Sequence, residues 1–206
     1  MNEHDMDRLL GIRTAGVQDW GVRSIHDNRY EATPYEALDA LLDSCPIDRR
    51  DGIVDYGSGK GRVAFYLNHR TGASVTGIEM DGSLYLQSLE NRDAYMIKKK
   101  TRLKGSVSFL NCRAEDYRVK GLDTVFFYFN PFSVSLFAKT ISRILQSAEE
   151  RPRPVSVLLY YPTLDYLSFM EHHTPFVHAL DLPIPGLSEN NPNERFSIWK
   201  IADCST

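Results

Sequence analysis

The sequence predicts an α/β fold built on a mainly parallel sheet, and three observations carry that prediction. Short apolar runs alternate with segments of helical periodicity through most of the chain. A glycine-rich stretch, Asp55-Tyr56-Gly57-Ser58-Gly59-Lys60-Gly61-Arg62, sits where an apolar run hands over to a helical pattern. The last two extended runs are joined by a loop rich in Pro, Gly, Asn and Ser, which marks a hairpin and so an antiparallel final strand.

In chain order, residues 1–34 hold a polar start and an irregular stretch from Trp20 to Thr33. An amphipathic helix follows at about Tyr35 to Leu42. A first strand covers Gly52 to Tyr56, and the helix after the glycines carries Val63, Ala64 and Leu67 on one face. Ser74 to Met80 reads as the second strand. The next helix begins near Asp81, a good N-cap, and is expected to turn Leu86, Leu89 and Met96 toward a core. Val107 to Cys112 is a third strand. Asp123 to Phe129 is almost wholly apolar and aromatic, the pattern of a strand buried on both faces in mid-sheet. Asn130-Pro131-Phe132 stops it, and the following helix lines up Phe137, Ile141, Ile144 and Ala148 before the Arg151–Pro154 segment ends it. Val155 to Tyr161 is a fifth strand, closed by Pro162. Phe176 to Leu182 and Phe196 to Ala202 are the hairpin strands around the Pro183–Arg195 loop.

A length of 206 residues suits one domain, with 42% hydrophobic and 25% charged residues in the ordinary globular range. No apolar run approaches the roughly 20 residues of a membrane span, and residues 1–8 lack a signal-peptide core, so a cytoplasmic protein is expected. Cys45, Cys112 and Cys204 are odd in number and far apart, which argues against disulfides and structural zinc. No metal site is expected, and Cys112 reads as a small buried hydrophobe. The net charge of -3 exerts no global pull on nucleic acid. The basic run Lys98-Lys99-Lys100, with Arg102 and Lys104, reads first as a solvated helix end.

The glycine loop fits two nucleotide motifs poorly. A phosphate-cradling loop needs Lys-Ser/Thr after its last glycine, whereas Lys60 falls between glycines. A dinucleotide fingerprint needs G-x-G-x-x-G, whereas Arg62 stands at the last glycine's place. Asp55 repels a pyrophosphate and suits a cation or a hydroxyl. Glu79 ends the second strand about 20 residues beyond the loop, where an ionised acid, an acceptor only, suits a ribose diol. Glu115-Asp116 follows the third strand, and Asn130-Pro131-Phe132 follows the fourth. All four elements fall at carboxyl ends of strands, where open α/β sheets gather ligands.

In these residues the chain resembles the class I S-adenosylmethionine-dependent methyltransferases. Asp55 to Gly61 is similar to that family's acid-G-x-G-x-G motif, Glu79 to its ribose acid, Asp116 or Glu115 to its adenine-side acid, and Asn130-Pro131-Phe132 to its fourth motif. The resemblance covers about Thr33 to Ala202. It implies a Rossmann-like three-layer sandwich with seven strands, the seventh entering antiparallel between the fifth and sixth. It implies S-adenosyl-L-methionine as cofactor, held by Tyr35, Asp55, Tyr56, Gly57, Ser58, Gly59, Gly61, Arg62, Glu79, Met80, Glu115, Asp116 and Asn130. Asn130 and Phe132 are then the catalytic candidates, facing the methyl acceptor. The family's amino-directed members carry [N/D]-P-P-[Y/F], and this chain is one proline short. Residues 1–44 are expected to pack over the cofactor pocket, with Tyr30 or Tyr35 closing it. A small molecule or a protein side chain is the favoured acceptor, ahead of nucleic acid. The alternatives are a non-catalytic cofactor-binding or scaffold module, a nucleic-acid N-methyltransferase and an NAD-dependent oxidoreductase. The sequence names neither the acceptor nor the oligomeric state.

Overall fold

Five parallel strands leave their carboxyl ends along one edge of the sheet in the computed structural model, which describes residues 3–16, 31–98 and 105–201. They are β1 (Gly52–Tyr56), β2 (Ser74–Glu79), β3 (Val107–Asn111), β4 (Asp123–Tyr128) and β5 (Val155–Tyr160). Their partners β6 (Val177–Pro183) and β7 (Arg195–Ile201) form the hairpin, and the sheet order is β3-β2-β1-β4-β5-β7-β6. β7 runs antiparallel to both β5 and β6. The seven-stranded, mostly parallel sheet and the inserted antiparallel strand agree with the sequence reading. The chain winds outward from β1 through β2 to β3, then returns to β4 on the other side. That reversal opens a crevice at the carboxyl ends of β1 and β4.

Helices cover both faces because strand side chains alternate. Ile53 joins the core under α1 (Glu3–Leu10), α2 (Tyr35–Ser44), α3 (Arg62–Thr71) and α4 (Gly82–Lys98). Val54 and Tyr56 join the core under α5 (Val134–Glu150) and α6 (Leu164–His173). β4 stands in the middle of the sheet, and Phe126, Phe127 and Tyr128 are all buried, as its unbroken apolar run predicts.

The structure corrects four readings. α4 does not bury Leu86 and Met96, which are 60% and 55% exposed; it buries Leu84, Ser88, Asn91 and Tyr95. Two of those are polar, and their side chains are satisfied by main-chain carbonyls, so counting apolar residues selects the wrong face. α6 was not expected at all, since only Tyr166 and Met170 anchor it and its signal is a Thr163 cap that accepts from the Tyr166 N–H. α1 was read as a polar tail because its buried residues are Asp7 and Leu10 alone. Cys112 is only half-buried. Tyr30, Lys99, Lys100, Arg102 and Lys104 lie outside the described residues, while the exposed Lys98 donates to the Arg8 carbonyl.

Candidate active site

The loop after β1 is held first by main chain, with side chains of Glu79 and Asn91 joining it farther along. The N–H groups of Gly57 and Ser58 donate to the Ile78 carbonyl at 2.9 and 3.0 Å, tying the loop to the end of β2. Gly57 has φ 75°, and a methyl group there would lie 2.5 Å from Cβ of Pro131, so the loop and the β4 exit touch at that point. Gly61 has φ 90°, and a methyl would run into the rings of Phe109 and Phe65. Only glycine meets both demands at either position.

Two carboxylates flank this loop in different states. Glu79 is buried, with Oε2 accepting from the Gly59 N–H at 2.7 Å and Oε1 from the Asp81 N–H at 2.8 Å. Burial pushes its carboxyl above the usual range, and those N–H donors pull the other way. Asp81 itself caps α4, accepting from the N–H groups of Ser83 and Leu84. Asp55 is 3% exposed and its Oδ2 has no partner. Burial first, and the neighbouring Glu79 second, raise its carboxyl to about 8. Ser58 Oγ is a second buried polar atom without a partner. Buried polar atoms are normally satisfied, so two orphans beside a glycine cradle mark a place built to meet polar groups from outside the chain.

Farther along the same edge, β4 and β5 exit side by side. The strands pair Tyr128 with Leu159, and two residues beyond each partner stand Asn130 (φ 39°) and Tyr161 (φ 50°). They are the non-glycine residues with positive φ among those described, and such conformers collect at functional sites. Between the two exits lies a cleft of about 240 Å³ lined by Asn130, Phe132, Ser133, Val134, Thr163, Asp165 and Tyr166. The Tyr166 hydroxyl donates to the Phe132 carbonyl at 2.6 Å and joins its two walls.

No protein-family model and no curated protein matches the chain. Solved structures do. An RNA methyltransferase from Salinibacter ruber, in complex with S-adenosyl-L-homocysteine, superposes with a TM-score of 0.57 at 19% identity, over 84% of this chain and 95% of its own. A SAM-dependent methyltransferase from Aquifex aeolicus gives 0.55 at 12% identity, over 80% and 89% of the two chains. Geranyl diphosphate C-methyltransferase from Streptomyces coelicolor A3(2), in complex with Mg2+, geranyl diphosphate and S-adenosyl-L-homocysteine, gives 0.52 at 13% identity, over 82% and 79%. The fold is the class I methyltransferase fold.

Within this methyltransferase fold the sequence-predicted residues divide into three groups. Asp55, Gly57, Ser58, Gly59, Gly61 and Glu79 converge on the β1–β2 loop described above. Met80 is half exposed just beyond Glu79, in a turn held by the Asn111 amide, which donates to the Glu79 and Met80 carbonyls. Glu115 and Asp116 lie on a short 3₁₀ turn after β3; Glu115 takes the Arg113 guanidinium at 3.0 Å, while Asp116 is exposed. Three others are placed as follows. The Tyr56 ring points into the opposite core, stacked on Tyr128 at 4.9 Å, so only its main chain borders the loop. Phe132 is 8% exposed and edge-on to Tyr128, so it takes its place as a wall of the cleft. Arg62 is committed to the front of the chain: Nε donates to Thr14, and Nη1 donates to Glu3 and to the Thr33 carbonyl.

Tyr35 belongs to the same front network. Its hydroxyl donates to Asp7 Oδ1 at 2.5 Å, and the Arg62 guanidinium lies 4.5 Å from its ring centroid. Burial and the Asp7 carboxylate hold the phenol protonated, well above its usual range. Asp7 also accepts from Thr14 and from the Ala15 N–H, and Asn91 joins Arg13 to the Lys60 carbonyl of the glycine loop. Sequence reasoning missed Asp7 and Asn91, single polar residues in helices, and Thr14, in the segment after α1, because none of them carries a spacing signal; it also missed Tyr161 and Asp165. Among the described residues no cluster of His, Cys, Asp and Glu is placed to hold a metal, and no helix is long and apolar enough to cross a membrane.

Proposed function

We propose that the chain transfers a methyl group from S-adenosyl-L-methionine to an acceptor held at the β4 and β5 exits. The observation that carries this reading is the pair of buried, unpartnered atoms, Asp55 Oδ2 and Ser58 Oγ, beside a glycine cradle that leaves main chain open to a ligand. The donor set fits the cofactor's chemistry: Glu79 for a ribose diol, Asp55 for an ammonium whose charge would draw off the proton that burial retains, and no phosphate-directed lysine at the loop's end. Glu79 spends one lone pair of Oε2 on the loop's Gly59 N–H and one of Oε1 on the Asp81 N–H, and keeps others for hydroxyls. Met80 and Asp116 are the residues offered to the adenine, and Asn130 to the acceptor. Bound cofactor supplies a methyl carbon activated by a sulfonium with a neutral thioether as leaving group, so the protein's contribution is mainly positioning. The front network of Glu3, Asp7, Thr14, Tyr35 and Arg62 braces the helix that starts at the loop.

A small molecule or a protein side chain is the favoured acceptor. The similar folds above belong to proteins acting on RNA and on geranyl diphosphate, so the fold alone selects neither. Among the described residues around the carboxyl edge, however, Glu79, Asp81, Glu115, Asp116, Asp165 and Glu194 outweigh Lys60, Arg113 and Arg195, with Arg113 already paired with Glu115. Polyanion binding rests on neutralising phosphates with Lys and Arg, which the described residues of this edge supply sparsely.

Calorimetry tests the reading. Wild-type protein is expected to bind S-adenosylmethionine and S-adenosylhomocysteine with micromolar affinity, and Asp55→Ala and Glu79→Ala to weaken both by about tenfold or more. No binding of either ligand, with both variants indistinguishable from wild type, overturns it.

A further inference from the structure

We infer that Asp165, in the cleft between the β4 and β5 exits, selects an acceptor bearing an amine; this rests on the methyltransferase reading above, which places the acceptor there. The cleft is built rather than incidental. The left-handed conformations of Asn130 and Tyr161 turn both chains sharply as they leave adjacent strands, and the gap opens between the segments that follow. Its floor is fixed by the Tyr166 hydroxyl on the Phe132 carbonyl and by the Tyr166 ring stacked 3.9 Å from that of Phe137. Asn130 belongs to this cleft, and the next residue, Pro131, packs against Gly57 of the glycine loop. The cleft therefore adjoins the cofactor loop through two consecutive residues.

The lining specifies the guest. Phe132 and Val134 offer apolar surface, while Asn130, Ser133 and Thr163 offer neutral polar groups. Asp165, exposed in the first turn of α6, is the one charged side chain among the lining residues. At about 240 Å³ the cleft is smaller than the roughly 300–1,000 Å³ of sites for drug-sized ligands, so it suits a small molecule or the end of a side chain. A lone carboxylate over neutral walls favours an ammonium and repels a carboxylate or a phosphodiester. Because Asp165 is solvent-exposed, its preference is modest in size and is a matter of selection rather than of tight binding.

The test uses the full chain saturated with S-adenosylhomocysteine, with benzylamine, benzyl alcohol and benzoate as isosteric probes followed by ¹H–¹⁵N spectra. Benzylamine is expected to shift the signals of Asn130, Ser133 and Asp165 and to bind more tightly than benzyl alcohol, with benzoate weakest. Asp165→Asn should cost benzylamine about two- to fivefold in affinity, leave benzyl alcohol unchanged and leave S-adenosylhomocysteine affinity within about twofold. Asp165 is exposed in the first turn of α6, so the variant stays folded, with a melting temperature lower by no more than a few degrees. Shifts outside the cleft, no shifts, a preference for benzoate, or an unaltered benzylamine affinity in Asp165→Asn each overturn the inference. So does perturbation of the same signals by bulk tRNA in place of benzylamine. Failure to bind S-adenosylhomocysteine overturns the methyltransferase reading itself and is measured separately beforehand.

Discussion

The β1–β2 loop and the β4–β5 exits share one edge of the sheet, yet they are made from opposite materials. At the loop, left-handed backbone is supplied by glycine, side chains are absent where the chain approaches Pro131, and carboxylates are arranged around main-chain N–H groups. At the exits, left-handed backbone is imposed on Asn130 and Tyr161, which keep their side chains and bear the strain. The first region offers a ligand a bare backbone. The second offers it side chains in forced positions. A common cofactor suits the former, and an individual acceptor suits the latter.

That contrast can be broken at several points, beginning with the strongest. Arg62→Met should cost about 2–3 kcal/mol in urea unfolding, since Arg62 is 3% exposed and anchors Thr14, Thr33 and Glu3. It should also weaken S-adenosylhomocysteine, showing that the backbone-built loop depends on the front of the chain; unchanged affinity would separate the two. Gly57→Ala should cost about 1–3 kcal/mol through its positive φ and its collision with Pro131, with cofactor affinity falling roughly tenfold or more by calorimetry.

The third prediction concerns pH. The Asp55 carboxyl is raised to about 8 in the fold, so the native state keeps a proton that the unfolded chain surrenders near its ordinary, much lower value. Stability is therefore full in acid and declines as pH rises toward 8. Asp55→Asn removes that slope: its stability relative to wild type should rise by up to about 1.4 kcal/mol for each pH unit from pH 5 to pH 8, while cofactor affinity drops. An equal gain at both pH values would contradict the assignment of the buried proton. Smallest is Asn130→Gly, expected to change stability by less than about 1 kcal/mol because glycine accepts φ 39°, to leave S-adenosylhomocysteine binding intact and to abolish methyl transfer. If cofactor affinity fell as far as in Gly57→Ala, the two regions would not be distinct.

The same contrast explains what could be read from sequence. Gly57, Gly59 and Gly61 announce the loop because glycine is the chemical signature of positive φ, and Glu79 follows at a fixed distance set by one βαβ unit. Strand boundaries were legible for β1, β4 and the hairpin because their apolar runs are short and end at Gly, Pro or Asn. Tyr161 left no trace: a tyrosine closing an apolar run looks like any strand end, and its left-handed φ is imposed by tertiary structure. Asp165 and α6 were invisible for a related reason, since two buried residues make too weak a stripe to register. The front network depends on Asp7, Tyr35, Arg62 and Asn91 meeting across distant parts of the chain, and no local pattern encodes such a meeting.

The sheet order also sets a sequence of events. β6 touches the sheet only through β7, and β7 is the strand that fills the space beside β5. Until residues 195–201 have been made, β6 has no partner strand and β5 keeps a raw edge next to the cleft lined by Asn130 and Tyr166. Folding of this domain is therefore deferred to its last strand, through contacts that span about forty residues. A chain caught before that moment exposes an unpaired, apolar strand edge, the kind of surface at which aggregation begins.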